Sequence, residues 1–369
     1  MKILHLVHIP RHSGAEVLAR DLCIQHRILG ARSAIASNAP AAEAFEPELA
    51  ALAEAGVELY VPREELYGLA RSRNFARAFA AFEPDVVFAH SLLPALYGRI
   101  ALAMVRRRPP IHFVLHSSTN DFSNWKARWA ERMLVPLTRS VIAVAEPAAA
   151  NYKRNVPWGP EPQVISNGVD VERFRTTSEK RKEVRDHLQI RPHERILLQL
   201  GRIAPIKQQC FAVKSLMNVL ASNPSASLWF AGVVEDENYL RELVAAIEGT
   251  GLGGRIRFLG PRRDVPNLLA AADVYLMPSI AEQHSIALLE ALSSGVPVVA
   301  SDIPSFAFAR YMPGVTLVPL DNSDELAASV ADQLRRSERY VRDLSDYDAG
   351  RTARDYLKIA GFASDVGPA

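Results

Sequence analysis

Short apolar runs rich in branched and aromatic residues recur along the chain at 2–7, 57–61, 86–89, 111–115 and 141–144, and each predicts a buried strand. Between them the apolar positions follow helical spacing. Val17, Leu18, Leu22 and Leu29 predict a helix over 15–29 that Gly30 stops, and 74–82 and 96–107 read the same way. The stretch 166–178 is polar and charged and holds no strand-like run. A second series then begins, with strands at 196–200, 227–231, 256–259, 274–277 and 298–300, a weaker one at 316–318, and helices at 208–220 and 237–248. Residues 324–360 are expected to be mostly helical. Strands alternating with helices predict an α/β fold of parallel sheets covered on both faces. The pause at 166–178 divides it into two Rossmann-like domains, 1–170 and 171–345, with 346–369 as a terminal helix and tail.

The stretch 273–301, DVYLMPSIAEQHSIALLEALSSGVPVVAS, carries the densest chemistry. It reads as strand, polar loop, helix over 285–294 and second strand, with Gly295 past the helix end and Pro297 beyond it. Ligands of such βαβ units bind where the strand's C-terminal end meets the helix N-terminus, because the free N–H groups there attract anions. Glu282 lies in the loop and Glu290 within the helix. The pair is a candidate for acid/base work or for holding sugar hydroxyls. Equally, one acid can favour the helix start and the other an exposed helix face.

Length and charge narrow the class. The 369 residues suit two domains, and 49% hydrophobic with 23% charged residues is ordinary for a globular protein. A net charge of +2 implies no nucleic-acid partner. Cys23 and Cys210 form no metal or redox motif, and no apolar run reaches the ~20 residues of a membrane span, so a cytoplasmic protein is expected.

Further candidates follow other strands. Gly201, Arg202 and Lys207 lie between a strand and a helix, where glycine permits close approach and the two cations suit a diphosphate. The segment Ser13, Gly14, Ala15, Glu16 occupies the first strand–helix turn and reads as a capping box, Ser13 capping the helix and Glu16 completing it. His90 and His116 each follow a strand. No Asp-x-Asp triplet follows a strand of either series, where it could hold a divalent ion on a diphosphate, so no metal cofactor is expected. Trp125 and Trp129, in NWKARWAERM, share one helix face. They read as a core-facing stripe or, with Arg106–Arg108, as a surface for an anionic membrane or lipid-linked acceptor.

NGVDVERF, GRIAPIKQ, IRFLGPRRDVPNLLAAADVYLMPS and ALLEALSSGVPVVASD, in that order, resemble successive blocks of the retaining glycosyltransferases of family 4, whose two-Rossmann architecture is called GT-B. SGAE resembles that family's Gly-Gly-x-Glu element, and Glu282 with Glu290 its Glu, seven residues, Glu motif. The resemblance implies a metal-independent, retaining transfer of a sugar from a UDP-, GDP- or ADP-sugar to a glycan or lipid-linked acceptor, in cell-surface polysaccharide synthesis. It implies a donor site in the C-terminal domain and an acceptor site in the N-terminal one, with the last helix crossing back to the latter. By it, Arg202 and Lys207 bind the diphosphate beside Gly201, Glu290 the ribose, and Glu282 the donor sugar. The N–H groups of Ser285 and Ile286 meet the phosphate, the backbone near Arg262 reads the base, and Gly14 and His116 face the reacting sugar. The chain departs from the family at Gln283, His284 and Ser285, where Gly and an aromatic are common. Those side chains are expected either to read a group on the donor sugar or to mark a catalytically silent nucleotide-sugar-binding protein.

Overall fold

The computed structural model describes residues 1–116, 122, 124–336 and 338–362. The chain divides into two compact units, Met1–Gly168 with Tyr347–Ala369, and Val169–Asp346. Among the described residues the first unit contains β1 (Lys2–Val7), α1 (Gly14–Ile28), β2 (Arg32–Ser37), α2 (Glu46–Glu54), β3 (Glu58–Tyr60), α3 (Leu69–Phe82) and β4 (Val86–His90). It continues with α4 (Leu92–Ala101), β5 (Ile111–Leu115), α5 (Trp125–Leu134), β6 (Ser140–Ala143), α6 (Glu146–Asn155) and β7 (Gln163–Val164). The strands pair in parallel in the order β3-β2-β1-β4-β5-β6-β7.

Both faces of this sheet are covered, which is why its strands read as near-continuous apolar runs. Leu4 and Leu6 of β1 pack with Phe75, Phe79 and Phe82 of α3 and Leu92 and Leu96 of α4. Val7 packs on the other face with Ala19 and Cys23 of α1 and with Leu49 and Leu52 of α2. Burying each large apolar side chain in this way stabilises the fold by roughly 1.5–3 kcal/mol.

The second unit contains α7 (Val171–Phe174), α8 (Ser178–His187), β8 (Arg195–Leu200), α9 (Gln209–Ser222), β9 (Ala226–Ala231), α10 (Glu237–Glu248) and β10 (Ile256–Phe258). It ends with α11 (Val265–Ala271), β11 (Val274–Met277), α12 (Ile286–Ser293), β12 (Val298–Ser301), β13 (Val315–Val318) and α13 (Ser323–Arg336). Its sheet is again parallel, in the order β10-β9-β8-β11-β12-β13. Leu197, Phe230 and Leu276 meet Leu216 and Leu220 of α9, Leu243 of α10 and Val330 of α13 in its core.

Three features differ from the sequence expectation. Strand β2 reads Arg-Ser-Ala-Ile-Ala-Ser. Ser33, Ala34, Ala36 and Ser37 are buried but small or polar, so the strand gives no apolar signal. The segment 324–360 is mostly helical, as expected, but a non-helical stretch that the sequence does not signal divides it. Arg339 reaches the carbonyl oxygens of Leu269, Ala270, Ala272 and Ser294 at 2.7–2.9 Å, and Arg342 those of Leu292, Val296 and Pro313 at 2.8–3.0 Å. These bonds hold 338–344 in irregular backbone across the C-terminal ends of α11 and α12. Helix formation resumes at α14 (Ala349–Ile359), where the Asp348 side chain accepts from Arg351 N at 3.0 Å. Third, Trp125 and Trp129 do not face the core: they are 61% and 58% exposed, with Met133, one turn further, at 67%.

Helix α14 packs on α1 within the first unit. Gly168 of the NGVD segment lets that segment run against the start of α14, since a Cβ there would fall 2.5 Å from Thr352 Oγ1 and 2.7 Å from Ala349 Cα.

Candidate active site

In the second unit the strand order reverses between β8 and β11, which are neighbours although the intervening strands lie to one side. Connections leaving their C-terminal ends diverge there and open a crevice. The loop after β8 carries Gly201, Arg202 and Lys207, and the loop after β11 carries Glu282, Gln283, His284 and Ser285. The fold thus brings these candidates together at one end of one sheet, with Ile286 and Glu290 on the helix that follows.

The β8 loop is held from below. Gln199 Nε2 donates to Lys207 O at 2.6 Å and Gln209 Nε2 to Arg202 O at 2.8 Å. Ile280 N donates to Ile206 O at 3.0 Å and ties the β11 loop to it, while the Ser305 hydroxyl donates to Glu282 O. Gly201 has φ +143°, and a Cβ on it would meet Lys207 Cε at 3.4 Å, so the lysine stem lies across this glycine. The carbonyl of Gly201 is approached still more closely, because a Cβ on Gly232 would fall 2.0 Å from its oxygen. The three supporting side chains, Gln199, Gln209 and Ser305, were not singled out from the sequence; the buried glutamines beside the basic loop were the available signal.

The charges pair in two ways. Lys207 Nζ forms an ion pair with Glu282, their side chains 12% and 14% exposed. Arg202 pairs with Glu235, but at 35% and 41% exposure that contact is worth at most about 1 kcal/mol, so an anion can draw Arg202 away at little cost. Tyr275 of β11 is fully buried, and burial followed by the Glu290 and Glu282 carboxylates pushes its phenol well above the ordinary range. Both acids therefore act on the same strand. Ser285 is the N-cap of α12, its hydroxyl accepting from Leu288 N at 3.4 Å. The N–H groups of Ser285 and Ile286 are among the four that a helix start leaves without intrahelical partners. The His284 ring is turned onto Phe308, centroids 5.1 Å apart, and burial lowers its pKa to about 4. Arg262 lies apart, after edge strand β10, in a two-point pair with Asp264 at 2.6–2.7 Å that raises its pKa. Among the described residues no group of three or more His, Cys, Asp or Glu is placed to hold a metal ion.

A cavity of about 180 Å³ lined by Arg181, Arg185, Arg195, Asp273 and Arg339 opens at the other end of these strands. Its guanidinium groups bond Asp273 and the α11 carbonyls, which makes it a structural staple.

In the first unit Gly14 begins α1, and a Cβ there would meet nothing within 4 Å. The expected capping box is not formed. The Ser13 hydroxyl bonds the Glu16 carboxylate and makes no cap to the helix backbone. His116 directly follows β5, partly buried, and its Nε2 lies 2.9 Å from His90 Nδ1. His90 is buried. The residues following His116 at 117–121, including Ser117, Ser118 and Thr119, lie outside the described residues.

Residues 12–173 match Glycosyltransferase Family 4, and residues 194–336 match Glycosyl transferases group 1. The chain is 30% identical over 319 residues to the phosphatidyl-myo-inositol mannosyltransferase of Mycolicibacterium smegmatis, covering 82% of this chain and 77% of that protein. The chain belongs to the family 4 glycosyltransferases. Another relative of this family 4 member is the UDP-Gal:alpha-D-GlcNAc-diphosphoundecaprenol alpha-1,3-galactosyltransferase of Escherichia coli, 26% identical over 225 residues, a match spanning 59% of this chain and 58% of that one. Among solved structures, Anabaena HepE in complex with UDP and glucose superposes with a TM-score of 0.78 at 22% identity, covering 98% of this chain and 99% of the other. WaaG, a glycosyltransferase involved in lipopolysaccharide biosynthesis, does so with a TM-score of 0.67 at 15% identity and 99% coverage of both. These likenesses show the GT-B fold for this chain, two Rossmann-like domains with parallel sheets.

Proposed function

We propose that this family 4 glycosyltransferase moves a sugar from a nucleotide-diphosphate-sugar to a hydroxyl of a glycan or lipid-linked acceptor, with retention at the anomeric carbon and without a metal cofactor. The observation that carries the reading is the convergence of Lys207, Arg202 and the α12 N-terminus at the β8/β11 crevice, with Glu282 and Glu290 beside them. The relatives support the class of reaction, since one is named for UDP-Gal and HepE was crystallised with UDP and glucose.

In this reading unit 2 takes the donor and unit 1 the acceptor. The diphosphate draws Lys207 from Glu282 and Arg202 from Glu235, and the N–H groups of Ser285 and Ile286 meet its oxygens. Glu290 accepts from the ribose hydroxyls, Glu282 and Gln283 contact the donor sugar, and the backbone near Arg262 reads the base. Gly14 and His116 are assigned to the reacting sugar. Fixed positive groups stabilise the diphosphate as the glycosidic C–O bond breaks. The acceptor hydroxyl attacks from the same face and passes its proton to the departing phosphate oxygen. Glu282 is not assigned as a covalent nucleophile, because a retaining double displacement also uses a second carboxyl group about 5 Å away as acid and base, and Glu290 is assigned to the ribose instead.

The exposed face of α5, Trp125, Trp129 and Met133, is proposed to rest on an anionic membrane surface that presents the acceptor. Arg106, Arg107 and Arg108 are also exposed. No helix of the described residues is long and apolar enough to cross a membrane. Co-sedimentation with phosphatidylglycerol vesicles tests this contact: binding should fall in Trp125→Ser/Trp129→Ser, and equal binding by that variant contradicts it.

The activity is tested by screening UDP-, GDP- and ADP-sugars for thermal stabilisation and following hydrolysis or transfer with the stabilising donor. Retention is read from the product anomer, and metal independence from undiminished turnover in EDTA. Stabilisation without turnover on any acceptor points to the catalytically silent binding protein.

A further inference from the structure

Four histidines form a continuous chain through the first unit. His26 of α1 places Nε2 3.4 Å from the carbonyl oxygen of Ala353 on α14. Its Nδ1 lies 3.3 Å from Nε2 of His5 on β1. His5 Nδ1 lies 2.9 Å from Nε2 of His90, the last residue of β4, and His90 Nδ1 lies 2.9 Å from Nε2 of His116. Successive ring centroids are 5.2–5.4 Å apart. His5, His26 and His90 are at most 1% exposed, and Phe88 packs against both His5 and His26.

The chain has one polarity. A neutral imidazole carries one N–H donor and one bare nitrogen acceptor, and each junction needs one of each. The Ala353 carbonyl can only accept, so His26 carries its proton on Nε2. Its bare Nδ1 then accepts from His5 Nε2–H, His5 Nδ1 accepts from His90 Nε2–H, and His90 Nδ1 accepts from His116 Nε2–H. Reversing the order would set two acceptors against each other at His26 and Ala353 in a buried place. The rings are neutral at physiological pH, since burial lowers His26 to about 4 and His116 to about 3, and His5 and His90 well below the ordinary value. Burial, the neighbouring rings and the Ala353 carbonyl set the state of the four rings, and among the described residues no carboxylate contributes to favour a second proton.

We propose that the Ala353 carbonyl, acting through His26, His5 and His90, fixes His116 in its Nε2–H tautomer and so holds Nδ1 as a hydrogen-bond acceptor. His26, His5 and His90 are positioning residues. An acceptor at this place selects a ligand group that donates, such as a sugar hydroxyl, over one that only accepts, such as a phosphate oxygen. The chain is a tautomer lock and not a proton relay. Passing a proton along its length would leave an imidazolium at His26 in the core, where burial disfavours charge. That His116 meets a sugar rests on the function proposed above; its tautomer does not.

The test is a long-range 1H–15N correlation spectrum of the full chain labelled with 15N-histidine at pH 7.5, without ligand. His5, His26, His90 and His116 are each expected as the Nε2–H tautomer. Nδ1–H at His116, or a mixture there, overturns the proposal. In His26→Phe the anchor is lost and His116 should become a mixture of tautomers. An unchanged His116 signal in the folded variant contradicts the lock, and the wild-type spectrum decides should that variant not fold. With an active donor, kcat of His26→Phe should fall about tenfold while donor KM stays within about twofold. A locked His116 in a protein that transfers no sugar sinks the proposed function and leaves the lock standing.

Discussion

Lys207 and Glu282 form an ion pair across the crevice between the loops that follow β8 and β11, each less than one-sixth exposed. Each residue thus occupies the other. The pairing gives opposite expectations for the two partners. Lys207→Ala should weaken nucleoside diphosphate binding by about 10–100-fold, the worth of a charged hydrogen bond. Glu282→Gln releases the ammonium, so diphosphate affinity should hold or tighten while sugar transfer falls. Calorimetric titration with both variants checks this, and equal weakening by the two contradicts it.

The glycines behind the loop give a stability prediction. Gly232→Ala sets a methyl 2.0 Å from the Gly201 oxygen, a contact only backbone movement can relieve. It should cost about 2–4 kcal/mol and also weaken diphosphate binding, because the displaced segment carries Arg202 and Lys207. Gly201→Ala meets only the flexible lysine stem at 3.4 Å, but at φ +143° its side chain strains the backbone, so it should lose stability as well as binding, without the backbone clash of Gly232→Ala. Denaturant midpoints and nucleotide titrations separate the two effects.

Most of the fold was legible because both sheets are parallel and doubly covered, so strands such as β1, β5 and β11 appear as apolar runs. Strand β2 was hidden by its small and polar residues, and 338–344 because nothing local announces that Arg339 and Arg342 will spend their guanidinium groups on distant helix ends. At the site, Gly201, Lys207, Glu282 and Glu290 could be read from strand–loop–helix spacing. The turn of His284 onto Phe308 could not, being a contact 24 residues away in sequence. The histidine chain was half visible: His90 and His116 follow strands, while His5 and His26 look like ordinary members of a strand and a helix.

Acid should destabilise the protein below pH 6.5. His26, His112 and His284 are lowered by burial to about 4, and His116 to about 3. Above pH 6.5 these groups are neutral in both folded and unfolded chains and contribute nothing to the pH dependence. As pH falls through 6.5 the unfolded chain takes up protons that the folded one cannot, so stability is lost down to the folded values. Each such histidine removes roughly 1.4 kcal/mol per pH unit in that window. Melting temperature should be level from pH 8 to 7 and fall steeply from 6.5 to 5; a flat profile down to pH 5 contradicts the buried neutral state.

Arg99 and Glu131 are both fully buried and join α4 to α5. Arg99 also donates to Ala95 O at 2.9 Å and Thr138 Oγ1 at 2.8 Å. Glu131→Ala leaves the guanidinium buried without its carboxylate and should cost about 3–5 kcal/mol. Arg99→Met/Glu131→Leu should recover most of that loss, as read from denaturant midpoints.

A β8/β11 crevice that binds a nucleotide-diphosphate-sugar, as proposed, should also bind the nucleoside diphosphate alone. The most direct measurement is the dissociation constant of UDP, GDP and ADP for the wild-type chain and for Glu290→Ala. One of the three should bind the wild type, and Glu290→Ala should bind it at least about tenfold more weakly, through loss of the ribose contact. No binding by any of them, or equal binding by the variant, would contradict that proposal.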